Sequence, residues 1–137
     1  MFWDIFFKSN NRALLFIALI HFSFTVSAQG PEVIITNGTY DGGFKNGKMH
    51  GYGQALLNDG SIYSGEWKND KRNGMGRAGF TDGSSYYGEW VDDKRNGKGT
   101  YEFANGDKYT GQFVNDHMHG WGTYLYVNGN RYVGDFN

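Results

Sequence analysis

His50 and His119 occupy equivalent places immediately before a glycine, and His117 lies two residues ahead of His119. A transition-metal centre needs three or four convergent ligands. The chain has no cysteine to complete such a set, so these histidines read as solvated turn residues, interchangeable with Asn73 and Asn96. No metal is expected. Glu66 and Glu89 recur at a fixed interval, continued by Gln112 and Asp135. Glycoside hydrolysis uses two carboxylates across a bound sugar. Here the pair falls on an outward strand face with Lys68 close by, which reads as surface charge. Lys71-Arg72 and Lys94-Arg95 fall on equivalent turns and could meet anionic headgroups. Asp70, Asp92 and Asp93 stand beside them and nearly cancel the charge, so direct lipid binding is not expected. No Ser-His-Asp spacing, phosphate loop or nucleotide fingerprint occurs, and without cysteine there is no thiol nucleophile or disulfide. The chain reads as a non-enzyme, with no catalytic residue and no cofactor.

The elements that carry these side chains repeat. Tyr40, Tyr63, Tyr86, Tyr109 and Tyr132 are each 23 residues apart without insertion, and such a period fixes an architecture. Counting each repeat from its Tyr, position 3 is always Gly (Gly42, Gly65, Gly88, Gly111, Gly134). Position 5 is always aromatic (Phe44, Trp67, Trp90, Phe113, Phe136), and positions 12 and 14 are both Gly, as in Gly74 and Gly76. Each repeat ends on Asp-Gly or Asn-Gly, from Asp59-Gly60 to Asn128-Gly129. Alternation over positions 1, 3 and 5 and again over 12, 14, 16 and 18 describes two strands of a hairpin with side-chain period two. A polar turn such as Asn69 to Asn73 joins them, and the Asp-Gly or Asn-Gly pair supplies the positive φ of a tight hairpin turn. The glycines on the aromatic face are then explained. Without a Cβ they let an aromatic ring lie on the backbone, the rescue of strand glycine by an aromatic neighbour.

Tyr-x-Gly-x-Trp/Phe, then Gly-x-Gly, then Asp/Asn-Gly at this period resembles the MORN repeat (membrane occupation and recognition nexus), from Tyr40 to Asn137. The resemblance implies an all-β fold: an elongated, single-layer, twisted antiparallel sheet of consecutive β-hairpins with an aromatic-lined groove. Nine strands would span roughly 40 Å. The repeat core is then Tyr40, Phe44, Tyr63, Trp67, Tyr86, Trp90, Tyr109, Phe113, Tyr132 and Phe136.

Ahead of the repeats, Lys8 and Arg12 precede an apolar run, Ala13 to Val26, and then small residues at Val26-Ser27-Ala28. That order describes a cleavable secretory signal over residues 1–28. The run is shorter than the roughly 20 apolar residues of a spanning helix. The mature chain is expected to start at Gln29, in the medium or in a periplasm or cell envelope. Residues 29–39 form a short leader, and the repeats occupy 40–62, 63–85, 86–108, 109–131 and, in part, 132–137. Asn37-Gly38-Thr39 matches the N-glycosylation sequon. Thirteen basic against fourteen acidic residues exclude a polyelectrolyte tail and any nucleic-acid partner. A regular array without chemistry is expected to hold a protein partner or a second copy. On the outward face the apolar residues Tyr87, Val91, Val114, Trp121, Leu125 and Val133 gather towards the C-terminus and form the candidate partner surface. A glycan-binding alternative would rest on exposed aromatics, with Trp67 and Trp90 stacking on sugars.

Overall fold

In a computed structural model, residues 33–35 and 38–137 are described. The expected signal segment, and Asn37 of the sequon, lie outside the described residues. Ten strands form one sheet: β1 (Val33–Ile35), β2 (Gly38–Lys45), β3 (Lys48–Leu57), β4 (Ile62–Lys68), β5 (Lys71–Gly79), β6 (Ser85–Val91), β7 (Lys94–Glu102), β8 (Lys108–Val114), β9 (His117–Leu125) and β10 (Arg131–Phe136). Each strand pairs antiparallel with its sequence neighbour and the order is β1 to β10. The first strand falls within the expected leader: Val33 pairs with Tyr40 and Ile35 with Gly38, covering part of the β2 edge.

The two kinds of connection exchange the roles that the spacing suggests. The tight two-residue turns are Asn46-Gly47, Asn69-Asp70, Asp92-Asp93 and Asn115-Asp116, and φ is positive at both residues of each. That is the mark of a type I′ turn, whose twist matches the flanking strands. Lys71, Arg72 and Asn73 are therefore strand residues, as are His50, His117 and His119. The Asp-Gly and Asn-Gly pairs sit in three-residue loops, where only the Gly takes positive φ, as at Gly60 and Gly83. Leu57 closes the first loop by accepting from the Gly60 N–H at 2.9 Å and donating to the Ser61 carbonyl at 2.8 Å. Asp59 fixes the loop from inside, accepting from the Ser61 N–H at 2.9 Å and its hydroxyl at 2.5 Å.

One face of the sheet buries the core as a zigzag of rings. From Phe44 it runs Tyr40, Trp67, Tyr63, Trp90, Tyr86, Phe113, Tyr109, Phe136 and ends at Tyr132. Successive centroids are 4.7–5.4 Å apart and the planes cross at 72–88°. Edge-to-face contacts add to area burial, about 0.5–1.5 kcal/mol each. Each Tyr but Tyr132 packs on the position-5 ring of its own repeat and on that of the next, so the ladder fastens repeat to repeat. Its interior is sealed, whereas Phe44 is 45% exposed, Tyr132 46% exposed and Phe136 half-buried. Phe44 and Tyr132, the two ends of the ladder, have a single flanking ring each, while Phe136 lies between Tyr109 and Tyr132.

Candidate functional site

Each Tyr and Trp ring of the ladder is fixed by its polar atom. The Tyr63 hydroxyl donates to the Glu66 carbonyl at 3.0 Å, and the hydroxyls of Tyr40, Tyr86, Tyr109 and Tyr132 do the same three residues ahead. Trp67 and Trp90 donate their indole N–H to the carbonyls of Gly53 and Gly76 at 3.1 and 3.2 Å. Burial holds the phenols neutral. The Tyr40 hydroxyl is pushed up to about 12, first by desolvation and then by the Asp41 charge. Those of Tyr63 and Tyr86 are pushed higher by the same burial, with Arg72 and Arg95 opposing. At 4% and 2% exposure, Trp67 and Trp90 offer no face to a sugar, which removes them as glycan-stacking residues.

Position 10 alternates in kind: Met49, Arg72, Arg95, Met118. Arg72 clasps the turn of the following repeat, with its Nε 3.1 Å from Asp93 Oδ1 and its Nη2 donating to the Asp93 carbonyl at 2.9 Å. Arg95 holds Asp116 the same way. The Arg72 guanidinium lies 4.4 Å from the Trp90 ring centroid and that of Arg95 lies 5.0 Å from Tyr101, a cation–π arrangement. Both arginines of the Lys-Arg pairs are thus committed to the fold, and only Lys71 and Lys94 extend to solvent.

The paired glutamates are committed too. Glu66 accepts from the Met75 N–H at 3.0 Å and Glu89 from the Lys98 N–H at 2.8 Å. They brace a bulge in each hairpin, where the register shifts between Gly65 and Trp67 and between Gly88 and Trp90. Position 12 is the bulge residue, with φ of +92° at Gly74, and a Cβ there would meet the Glu66 carboxylate at 2.7 Å. Position 12 therefore serves the bulge, and the Tyr rings rest on positions 3 and 14. His50 is half-buried with Nδ1 lacking a hydrogen-bond partner, and His117 and His119 are exposed on β9. Among the described residues, no three His, Cys, Asp or Glu side chains converge as a metal site.

The six outward apolar residues, Tyr87, Val91, Val114, Trp121, Leu125 and Val133, are all exposed, but the register sets none of them directly opposite another. Tyr87 faces Arg77 and Thr100, Val91 faces Lys94, Val114 faces His117, Trp121 faces Asp135, Leu125 lies between Lys108 and Arg131, and Val133 faces Thr123. No two of them are cross-strand partners.

The open apolar surface lies on the ladder face instead. Phe80, Tyr101, Phe103, Tyr124 and Tyr126 form a second row of ring contacts, 4.7–6.1 Å between centroids. These rings are partly buried, and Tyr126 is exposed. Beside the row opens a hollow of about 470 Å³ floored by Phe113, Met118 and Phe136 and edged by Tyr101, Phe103 and the Arg95–Asp116 pair. Here Met118 stands where Arg72 and Arg95 stand in the preceding repeats. Sequence spacing put positions 16 and 18 on this face, but which of those rings stay uncovered depends on packing. No curated protein matches the chain. The MORN repeat family model matches residues 40–62, 63–85, 86–108 and 109–131; with the ring ladder and hairpin period described above, the chain belongs to the MORN repeat family.

Proposed function

We propose that this repeat scaffold is exported, is non-catalytic, and receives a protein partner on the ladder face at repeats 3 and 4. The observation that carries the reading is the row Phe80, Tyr101, Phe103, Tyr124 and Tyr126 beside the hollow over Met118. Rings left partly open beside a concave apolar floor suit an inserted side chain, while Arg95 and Asp116 at its edge are tied to each other. A photo-crosslinking residue in place of Tyr126 should capture a protein from the source organism's envelope or medium, and one in place of Trp121 should not. Capture from Trp121 alone would move the interface to the outward face. A glycan reading keeps one support, the exposed Tyr52, Tyr87 and Trp121 of the outward face. Binding on a glycan array that is lost in Trp121→Ala would favour it.

Export is supported by the basic, apolar and small-residue order of residues 1–28. Intact mass of the protein recovered from its source should correspond to a chain beginning at Gln29. Retention of Met1 would mean an uncleaved anchor.

A further inference from the structure

All four two-residue turns lie on one edge of the sheet and all four three-residue loops on the other, because ten antiparallel strands follow one another in order. On the turn edge Lys45 pairs directly with Lys48, and Lys68 with Lys71, all four side chains exposed. Like charges so placed destabilise a strand pair. Lys71 finds Asp92 at 3.9 Å and Asp70, in the turn between Lys68 and Lys71, turns its Oδ1 to the Met49 N–H at 2.8 Å, while Lys45, Lys48 and Lys68 form no ion pair among the described residues. On the loop edge Asp59 and Asp82 present exposed carboxylates. The side-chain and backbone hydrogen bonds of Ser61 and Ser84 hold them below the usual carboxylate range, so they stay charged.

At two repeat positions the charges change together, although repeat 3 keeps the exposed Lys94 on its turn edge and a buried carboxylate, Asp107, in its loop. Where repeats 1 and 2 have Lys45 and Lys68, repeats 3 and 4 have Val91 and Val114; where they have Asp59 and Asp82, repeats 3 and 4 have Asn105 and Asn128. The Asn side chain keeps the loop bond, since Asn105 Oδ1 accepts from the Asp107 N–H at 3.0 Å and Asn128 Oδ1 from the Asn130 N–H at 2.9 Å. The repeat-4 loop, with Asn128 and Asn130, therefore forms without a carboxylate. Consecutive turns, like consecutive loops, are two strands apart, roughly 10 Å, so one edge can meet the other in step.

We infer that the lysine edge of repeats 1 and 2 docks on the aspartate edge of repeats 1 and 2 in a second copy of the chain, set beside it in the same direction. Each copy then keeps one free edge of each sign, so the contact is heterologous and extends into an open row. It uses neither the hollow over Met118 nor the export route, and it stands or falls separately from the proposal above.

Sedimentation velocity of the purified protein over a concentration series tests it. In low-salt buffer the wild type should form concentration-dependent larger species. Their dissociation constant should weaken about tenfold or more in physiological salt, in Asp59→Asn/Asp82→Asn and in Lys45→Gln/Lys68→Gln. Thermal unfolding should be unchanged in both double variants, which separates lost docking from lost folding. A single monomeric species at low salt would overturn the inference, as would association indifferent to salt and to both variants. Retention of the wild type on a sulfated polysaccharide, lost in the lysine variant without any self-association, would reassign that edge to a polyanion and overturn it equally.

Discussion

Gly88→Val should destabilise the sheet by about 4 kcal/mol, in the range where only a few mechanisms operate. A Cβ on Gly88 would lie 2.5 Å from the Gly99 Cα and 2.5 Å from the Tyr86 hydroxyl, with the Lys98 carbonyl at 2.6 Å. Two of these neighbours are backbone of the paired strand and cannot yield without breaking the ladder of hydrogen bonds. The third is a phenol held by the Glu89 carbonyl at 3.0 Å and buried between Trp90 and Phe113. Valine adds two methyl groups beyond that Cβ. A domain of this size has a total stability of only about 5–15 kcal/mol, so the variant should be largely unfolded at moderate denaturant. Gly129→Ala is the control. Gly129 has φ of +89° with nothing within 4 Å of its would-be Cβ, so only backbone strain of about 1–2 kcal/mol is expected. Denaturant midpoints compare the two. Equal midpoints for Gly88→Val and wild type would disprove the close approach of Tyr86 to the Gly88–Gly99 pair.

Trp90→Ala should cost about 4 kcal/mol, while Phe44→Ala should cost about 1 kcal/mol, although both truncate the same repeat position. Trp90 touches Tyr63 on one side and Tyr86 on the other, donates to the Gly76 carbonyl and carries the Arg72 guanidinium on its face. Removing it opens a cavity at a junction between repeats and leaves the Gly76 carbonyl without its indole donor. Phe44 has a single ring neighbour, Tyr40, and is nearly half exposed. In a linear array, stability is a sum of repeat terms and nearest-neighbour interface terms. Loss of the central interface should therefore also reduce cooperativity. Hydrogen exchange should show β2 and β3 unfolding apart from β8 and β9 in Trp90→Ala. A single cooperative unit with unchanged midpoint would remove the ladder from its role as the joint between repeats.

The sequence by itself determined the period, the strand content and the identity of the core. Tyr, Gly and Trp/Phe at positions 1, 3 and 5 can share one face only in an extended strand, and Gly opposite Gly leaves room for a ring only on that face. That pattern is local, so it is readable without a structure. What the tertiary structure decided depends on neighbours 9 to 21 residues away. Asn69-Asp70 became the tight turn because Asp70 can dock across the repeat boundary, its N–H donating to the Met49 carbonyl at 3.1 Å and its Oδ1 accepting from the Met49 N–H at 2.8 Å. Glu66 looked like free surface charge until the bulge brought the Met75 N–H to it. Arg72 looked like a solvated cation until Asp93 arrived from the next hairpin. The apolar outward residues looked like direct neighbours along the chain, whereas the register sets each opposite a polar residue and leaves only diagonal approaches between Val133, Trp121 and Leu125. That Tyr101 stays half-buried and Tyr126 exposed beside the sealed Tyr86 and Tyr109 was invisible for the same reason: alternation assigns a side chain to a face, and only the packed neighbours decide whether that face is covered.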